Sequence, residues 1–252
     1  LFTALPGVPI VQPGDNLASL IIEGFERADI ELEDGDVVIL AQKIVSKAEG
    51  RVIDLQSVEP STPANDLAEE TGKDPRVVEL ILRESRKVLR TRDDLIIVEH
   101  RLGFICANAG IDHSNVTDPS EGGGDSVLLL PEDPDVSAVK IREELYAATD
   151  IKPGVLIIDS HGRAWRMGTV GISIGAAGFP MLLDLRGRPD MTGRKLRVTQ
   201  VGLGDEIAAG ASALMGQADE RTPIVHLRGL PYPLRNGALT ELLRPEELDL
   251  FR

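Results

Sequence analysis

Residues 154–160, Gly-Val-Leu-Ile-Ile-Asp-Ser, contain the strongest strand signal in the chain. An uncharged run rich in β-branched residues predicts a strand buried on both faces, which ends at Asp159 and Ser160. A second apolar run, residues 37–41, follows the turn-forming residues 34–36 and predicts another buried strand. Because such strands alternate with helical patterns, the sequence predicts a mixed α/β or α+β fold.

Helical patterns lie between and beyond these strands. A short helix is predicted after Pro63, and a longer one from Pro75 with a buried stripe that reaches Leu89. Another is predicted over residues 205–215, and an acidic one from Thr240 to the end. We expect a single domain over residues 1–252, with a helical subdomain around residues 60–90.

Composition excludes several classes of function. The 252 residues include 27 Lys and Arg against 41 Asp and Glu, a net charge of -14, and this disfavours binding to nucleic acid or to an anionic membrane surface. No apolar run approaches the roughly 20 residues that span a bilayer. Aromatic residues make up 3% of the chain, and Cys106 has no second cysteine to pair with. These features are typical of a cytoplasmic protein.

Two acidic residues follow predicted buried strands. Asp159 comes directly after the apolar run at 154–158, and Asp112 comes shortly after residues 103–107, where we predict a strand. Ligands of sheet proteins gather where strands end, and Mg²⁺ or Mn²⁺ binds one or two carboxylates together with hydroxyls, water and phosphate. The pattern fits a metal site with Ser160 as a further ligand. The alternative is that both aspartates form turns or cap helices.

Other polar residues allow both functional and structural interpretations. Lys43 and Lys47 share a face if they lie on a helix, where they supply positive charge to a phosphate or form a solvated surface. His113 and His161 neighbour the two aspartates without a ligand spacing typical of zinc sites. Cys106 fits a small core residue better than a nucleophile. The chain contains no GxxxxGK[ST], GxSxG or helix-opening GxGxxG motif.

Several longer motifs together resemble one protein family from end to end. In chain order they are GVPIVQPGDNLASLI (7–21), DGDVVILAQKIVSKAEGR (34–51), CANAGIDHSNV (106–116), LLPEDPDVSAVKIR (129–142), IDSHGRAWRMGTVGISIGAAG (158–178), LRGRPDMTGRKLRVT (185–199) and GDEIAAGASALMG (204–216). The family is that of the coenzyme F420-0:L-glutamate ligases, also called F420 gamma-glutamyl ligases. The stretches AQKIVSKAEGR and NAGIDxSNV are the most specific.

The resemblance implies a GTP-dependent ligase that adds L-glutamate to coenzyme F420-0 and extends a gamma-linked tail. It implies an acyl-phosphate intermediate, two sites for Mn²⁺ or Mg²⁺, and K⁺ as a further ion. It also implies an intertwined homodimer whose fold is unrelated to the ATP-grasp ligases. Some bacterial members carry a nitroreductase-like C-terminal domain, and we expect none in this chain.

Site residues also follow from the resemblance. It implies catalytic roles for Asp112, Asp159 and Lys47, and metal binding by Asp112, Asp159, Ser160 and Gln217. It places nucleotide contacts at Val8, Pro9, Ile10, Val11, Gln42, Lys43, Lys47, Asn115, Met215, Gly216 and Gln217. Ser160 stands where relatives often have threonine and retains the hydroxyl. Gln217 stands where some relatives have a carboxylate, and some have small hydroxyl residues in place of Gln42 and Lys43.

Two other functions remain compatible with the sequence. One is a different metal-dependent enzyme on the same scaffold, either a ligase for another acyl acceptor or a phosphohydrolase. The other is a non-catalytic protein that binds the deazaflavin and leaves GTP intact. GTP, L-glutamate and F420-0 are the expected small-molecule partners of the ligase.

Overall fold

The computed structural model describes residues 1–113 and 125–250. It has a mixed α+β fold with four sheets, the largest of which has five strands in the order β1-β12-β2-β8-β9. The strands are β1 (Phe2–Ala4), β2 (Val37–Ala41), β3 (Val52–Asp54), β4 (Ser85–Arg92), β5 (Leu95–His100), β6 (Ile105–Ala107), β7 (Ser126–Leu128), β8 (Gly154–Arg163), β9 (Arg166–Ala177), β10 (Leu183–Asp184), β11 (Gln200–Val201) and β12 (Ile224–Leu227).

Six α-helices accompany the strands. They are α1 (Leu17–Arg27), α2 (Gln42–Ala48), α3 (Thr62–Thr71), α4 (Pro75–Arg83), α5 (Pro134–Thr149) and α6 (Leu203–Met215). Their starts follow local chemistry: the Asn16 side chain accepts a hydrogen bond from the backbone of Ser19, and Pro75 and Pro134 occupy first-turn positions where no backbone donor is needed. None of the described helices is long and apolar enough to cross a membrane.

The predicted strands β2 and β8 form the centre of the main sheet. They pair in parallel from Val37 opposite Gly154 to Ala41 opposite Ile158, and both are buried on two faces. Val38, Leu40, Val155 and Ile157 pack into the core that includes α1 and α5, whereas Val37, Ile39, Leu156 and Ile158 pack into the core of α6. Successive side chains therefore enter opposite layers, as strand geometry requires.

Strand β8 is longer than its apolar run. The sequence predicts that it ends at Asp159 and Ser160, but the strand continues to Arg163 because the antiparallel strand β9 pairs with it along this extension. The parallel pairing with β2, by contrast, ends opposite Ile158. Asp159 and Ser160 thus lie inside a long hairpin, immediately beyond the end of the parallel pair.

Two helix predictions are wrong. The helix from Pro75 ends at Arg83, and Leu89 lies in β4, which pairs with β5. The predicted acidic helix from Thr240 is replaced by two single 3₁₀ turns at residues 239–241 and 246–248. In both stretches, contacts or chain breaks outside the local apolar pattern decide the conformation, and Pro245 interrupts the second one.

Candidate active site

A pocket of about 130 Å³ lies beyond the end of the parallel β2–β8 pair. Asp112 and Asp159 both contribute to its wall, so the structure brings these two predicted residues together. The remaining lining residues are Ala107, Gly110, Ile111, Ser160, His161 and Gly162. Two acids from distant parts of the chain thus face one small polar cavity.

The turn before Asp112 positions its backbone. Asn108 and Ala109 adopt left-handed conformations, and a Cβ on Gly110 would lie 2.8 Å from the side chain of Leu130. The Asp112 amide then donates to the Leu128 carbonyl at 3.0 Å, and the Leu128 amide donates back at 2.8 Å. This bridge to β7 fixes the backbone of Asp112 at the pocket.

The Asp112 carboxylate is held by the start of α2. Gln42 Nε2 donates to Asp112 Oδ2 at 3.0 Å, and Lys43 Nζ lies 3.5 Å from the same oxygen. Gln42 is buried, and its own Oε1 accepts a hydrogen bond from Ser46 at 2.9 Å. Burial raises the pKa of Asp112, Lys43 opposes this rise, and the nearby charge of Asp159 adds to it. The opposing effects place the two aspartates and Lys43 in one electrostatic unit.

Asp159 points from β8 toward the layer that contains β6. Its side chain is 11% exposed, and His161 Nε2 lies 2.9 Å from Asp159 Oδ2. Cys106 of β6 is buried on the same side, and burial together with the charge of Asp159 raises the pKa of its thiol to about 12. Cys106 is therefore a protonated core residue and not a nucleophile at neutral pH.

Ser160 and Gln217 form a second pair on the other face of β8. Ser160 Oγ donates to Gln217 Oε1 at 3.0 Å, just after the end of α6. Ser160 is paired with Gly171, where a Cβ would lie 2.5 Å from the Ala208 carbonyl oxygen of α6. The four predicted metal ligands are thus arranged as Asp112 with Asp159 on one side of the strand and Ser160 with Gln217 on the other.

Lys47 lies one helical turn after Lys43 on α2. Burial lowers the pKa of Lys47, and the charge of Lys43 lowers it further. Two neighbouring lysines that disfavour each other's charge make a region where a bound anion relieves the repulsion. The predicted helical placement of these lysines is confirmed.

The predicted nucleotide contacts lie in three described segments. Residues 8–11 belong to the extended segment before α1, and Gly14 in that segment donates to the Ala48 carbonyl at the end of α2. Val11 is buried, and Pro9 and Ile10 are exposed. Met215 and Gly216 end α6, next to Gln217. The predicted contact Asn115 lies outside the described residues.

The donor set near Asp159 consists of oxygen atoms from carboxylate, hydroxyl and amide groups. This set suits a hard divalent cation such as Mg²⁺ or Mn²⁺. Within residues 1–113 and 125–250, no group of three or more His, Cys, Asp or Glu side chains is arranged to hold a metal ion. A bound cation would therefore complete its shell with neutral oxygens, water or substrate.

His161 is the site residue whose role the sequence did not indicate. The predicted strand ended before it, so no strand register linked it to Asp159. In the longer β8, residues 159 and 161 share a face. That i, i+2 relation is the signal that a longer strand prediction would have supplied.

Comparison with known proteins extends over nearly the whole chain. Residues 7–229 match the family F420-0:Gamma-glutamyl ligase. The coenzyme F420:L-glutamate ligase of Methanothermobacter thermautotrophicus is 48% identical over 248 residues, covering 98% of this chain and 96% of that protein. The protein of that name from Methanopyrus kandleri is 48% identical over 96% of this chain and 93% of its own length. The one from Methanocaldococcus jannaschii is 42% identical over 97% and 94%.

The match includes the pocket residues and the elements that carry them, since β2, α2, β8, β9 and α6 all lie within residues 7–229. Identities of this size over nearly full length imply a shared fold and a common descent. The chain belongs to the F420-0:gamma-glutamyl ligase family.

Proposed function

We propose that this chain is a GTP-dependent ligase that joins L-glutamate to coenzyme F420-0 and then extends a gamma-linked glutamate tail. The observation that carries the proposal is the meeting of Asp112 and Asp159 at one pocket, with Lys43 beside Asp112. Relatives named coenzyme F420:L-glutamate ligase, at 48% identity, supply the substrate class.

Asp112 and Asp159 would hold Mn²⁺ or Mg²⁺ on one face of β8, and Ser160 with Gln217 would contribute to a second ion on the other. When bound, such a cation neutralises phosphate charge and polarises a phosphoryl oxygen. The carboxylates need this charge in any case, since burial and the proximity of Asp159 raise the pKa of Asp112. K⁺ is a further candidate ion at the nucleotide.

The lysines of α2 would orient the phosphates of GTP. Lys43 and Lys47 are point charges on one helical face, and phosphoryl transfer depends on positioning and charge neutralisation more than on a covalent nucleophile. Residues 8–11, Gln42, Asn115 and the segment 215–217 would provide the other nucleotide contacts. Gln42 and Lys43 already contact Asp112, so the nucleotide and the acidic pair would be linked through the start of α2.

The proposed reaction has two steps. A carboxylate oxygen of the acceptor attacks the γ-phosphorus of GTP, the bond to the β–γ bridging oxygen breaks, and an acyl phosphate and GDP form. The glutamate amine then attacks the acyl carbon, inorganic phosphate leaves, and the amine proton is released to solvent. Asp112 and Asp159 position the phosphoryl group, and Lys47 balances its negative charge.

One incubation tests the proposed activity. The chain is mixed with GTP, Mn²⁺, L-glutamate and F420-0, and the products are analysed by mass spectrometry. The ligase yields F420 species heavier by whole glutamyl units together with GDP and phosphate. GDP and phosphate without a glutamyl product would indicate a phosphohydrolase, and intact GTP with bound deazaflavin would indicate a binding protein; either result overturns the proposal.

Variants test the assignment of the acidic pair. We expect Asp112→Asn and Asp159→Asn each to lower the rate of ligation at least about a hundredfold, because each removes a charge that holds the cation. Asp66→Asn, at an exposed position of α3, is the matched control and should retain the wild-type rate. If both site variants keep metal-dependent ligation at the wild-type rate, the assignment is wrong.

We also propose that the chain forms a homodimer through the tip of the β8–β9 hairpin and the segment after β10. These regions expose the large apolar side chains of Trp165, Met167, Met191 and Val198, with exposed fractions of 84% or more. Exposed apolar residues grouped on a projecting hairpin are typical of a protein–protein contact. A second copy of the chain is the partner that family resemblance favours.

A further inference from the structure

His161 lies against the carboxylate of Asp159. The two residues are separated by one position on β8, so both side chains leave the strand on the same face. His161 Nε2 is 2.9 Å from Asp159 Oδ2, and the His161 side chain is 7% exposed. The approach is off the line of a good hydrogen bond, and within the described residues Nε2 has no other hydrogen-bond partner.

A buried ring nitrogen without a well-aligned partner is costly, which gives the imidazole a strong preference for contact with a nearby acceptor. Asp159 Oδ2 is such an acceptor at hydrogen-bond distance, and a small rotation of either side chain aligns the pair. The contact leaves the other carboxylate oxygen, Oδ1, available to a second partner.

Aromatic packing holds the imidazole in this place. The ring of Phe104 is tilted against that of His161, with 5.3 Å between centroids, and stacks on His100 with 5.1 Å between centroids and 7° between planes. His100 is fully buried, and its Nδ1 accepts a hydrogen bond from the Leu102 amide at 3.1 Å. The ring of His161 therefore rests on a fixed aromatic stack and not on solvent.

We propose that His161 is a positioning residue for Asp159: its Nε2–H holds Oδ2 and so presents Oδ1 to a divalent cation. This inference rests on the proposed function, in which Asp159 binds Mn²⁺ or Mg²⁺. Hydrogen-bonding partners of this kind restrict the orientation of a metal-binding carboxylate, and their loss commonly weakens metal binding about 10- to 100-fold. His161 itself does not bind the cation.

The experiment measures Mn²⁺ binding without substrates. Free Mn²⁺ is quantified by electron paramagnetic resonance in titrations of wild type, His161→Phe and His161→Gln. His161→Phe keeps a ring against Phe104 but removes the donor, and we expect its Kd for Mn²⁺ to rise about 10- to 100-fold. His161→Gln retains an N–H donor, and we expect it to recover most of the lost affinity.

Steady-state kinetics give a second readout. For His161→Phe we expect the apparent KM for Mn²⁺ to rise while kcat at saturating Mn²⁺ stays near the wild-type value, because the cation restores the carboxylate geometry once it is bound. Circular dichroism and a melting curve establish that each variant is folded. If His161→Phe does not fold, the comparison of His161→Gln with His161→Ala carries the same test.

Asp159→Asn in the same titration separates the two proposals. If Asp159→Asn binds Mn²⁺ as tightly as wild type, the proposed metal site is wrong. If Asp159→Asn loses affinity but His161→Phe does not, the proposed site stands and the role of His161 is overturned. Equal loss in His161→Phe and His161→Gln would also overturn it, since only packing would then matter.

Discussion

Gln217 places a neutral amide oxygen 3.0 Å from Ser160 Oγ, on the face of β8 opposite Asp159. Its Nε2 donates weakly to Ser212 Oγ at 3.3 Å, so the amide is oriented from two sides. If a second cation binds here, the face provides two neutral oxygens and no carboxylate. Affinity of oxygen-ligand sites depends on the number of charged ligands, so this site should be the weaker of the two.

We therefore expect Gln217→Glu to tighten binding of the second Mn²⁺ by about tenfold, because it adds one negative charge at nearly the same volume. Isothermal titration calorimetry of wild type and variant, fitted to two sites, measures the change. Gln217→Leu is the control of similar size without an oxygen, and should weaken the same site. Superimposable isotherms for wild type and Gln217→Glu would contradict the expectation.

At the level of single residues, the sequence predicted the candidate acids but not their neighbours. Asp112 and Asp159 stand out because each follows an apolar run, which is a local property. The hydrogen bond from Gln42 to Asp112 joins residues 70 positions apart and depends on where α2 packs against β7. The contact of His161 with Asp159 depends on strand length, which β9 determines. Both need tertiary structure.

Several elements meet at the buried carboxylate of Glu84, which follows α4. Arg51, after α2, approaches Glu84 Oε1 at 3.1 Å, and Arg101, after β5, donates to Oε2 at 2.8 Å. His100 Nε2 lies 3.7 Å away. Burial favours the neutral acid, but His100, Arg101 and Arg51 outweigh it and lower the pKa of Glu84 to about 2. Glu84 thus links α4 to two other parts of the fold.

We expect Glu84→Gln to lower the free energy of unfolding at pH 7 by about 2 kcal/mol, because two buried arginines lose their charged partner. The contribution of Glu84 is fully present above its unfolded pKa of 4.5 and is lost as pH falls toward its folded pKa of about 2. Urea denaturation at pH 7, 4.5 and 3 measures it, with exposed Glu69→Gln on α3 as the control. A variant deficit that stayed constant down to pH 3 would contradict this account.

At the level of elements, the sequence predicted which apolar runs form strands, but not where pairing extends or replaces them. Residues 154–158 are buried on two faces, so their pattern is sufficient. The extension to Arg163 is polar and exists because β9 supplies backbone partners. Leu89 shows the opposite failure: the helical spacing continues past Arg83, but β5 recruits residues 85–92 into a sheet. Helix propensity is weaker than such tertiary pairing.

The charge of the whole molecule is unevenly distributed. The chain carries -14 overall, yet residues 163–197 contain seven Arg and Lys against two Asp. This segment includes the β8–β9 hairpin tip and the exposed apolar residues Trp165, Met167 and Met191. The rest of the chain is correspondingly more acidic. A basic, apolar arm is complementary to the acidic body of a second copy, which favours association between chains.

We expect Met167→Glu to weaken the proposed homodimer, because it places a charge at a side chain that is 97% exposed in the single chain and would be buried in the contact. Sedimentation velocity over a concentration series measures the effect, and we expect the dimer Kd to rise at least about tenfold. Val136→Glu, at an exposed position of α5, is the matched control and should leave the wild-type mass near twice 27.2 kDa. Sedimentation of the wild type as a single chain at every concentration, or an undisturbed dimer in Met167→Glu, would show that this arm does not form the contact.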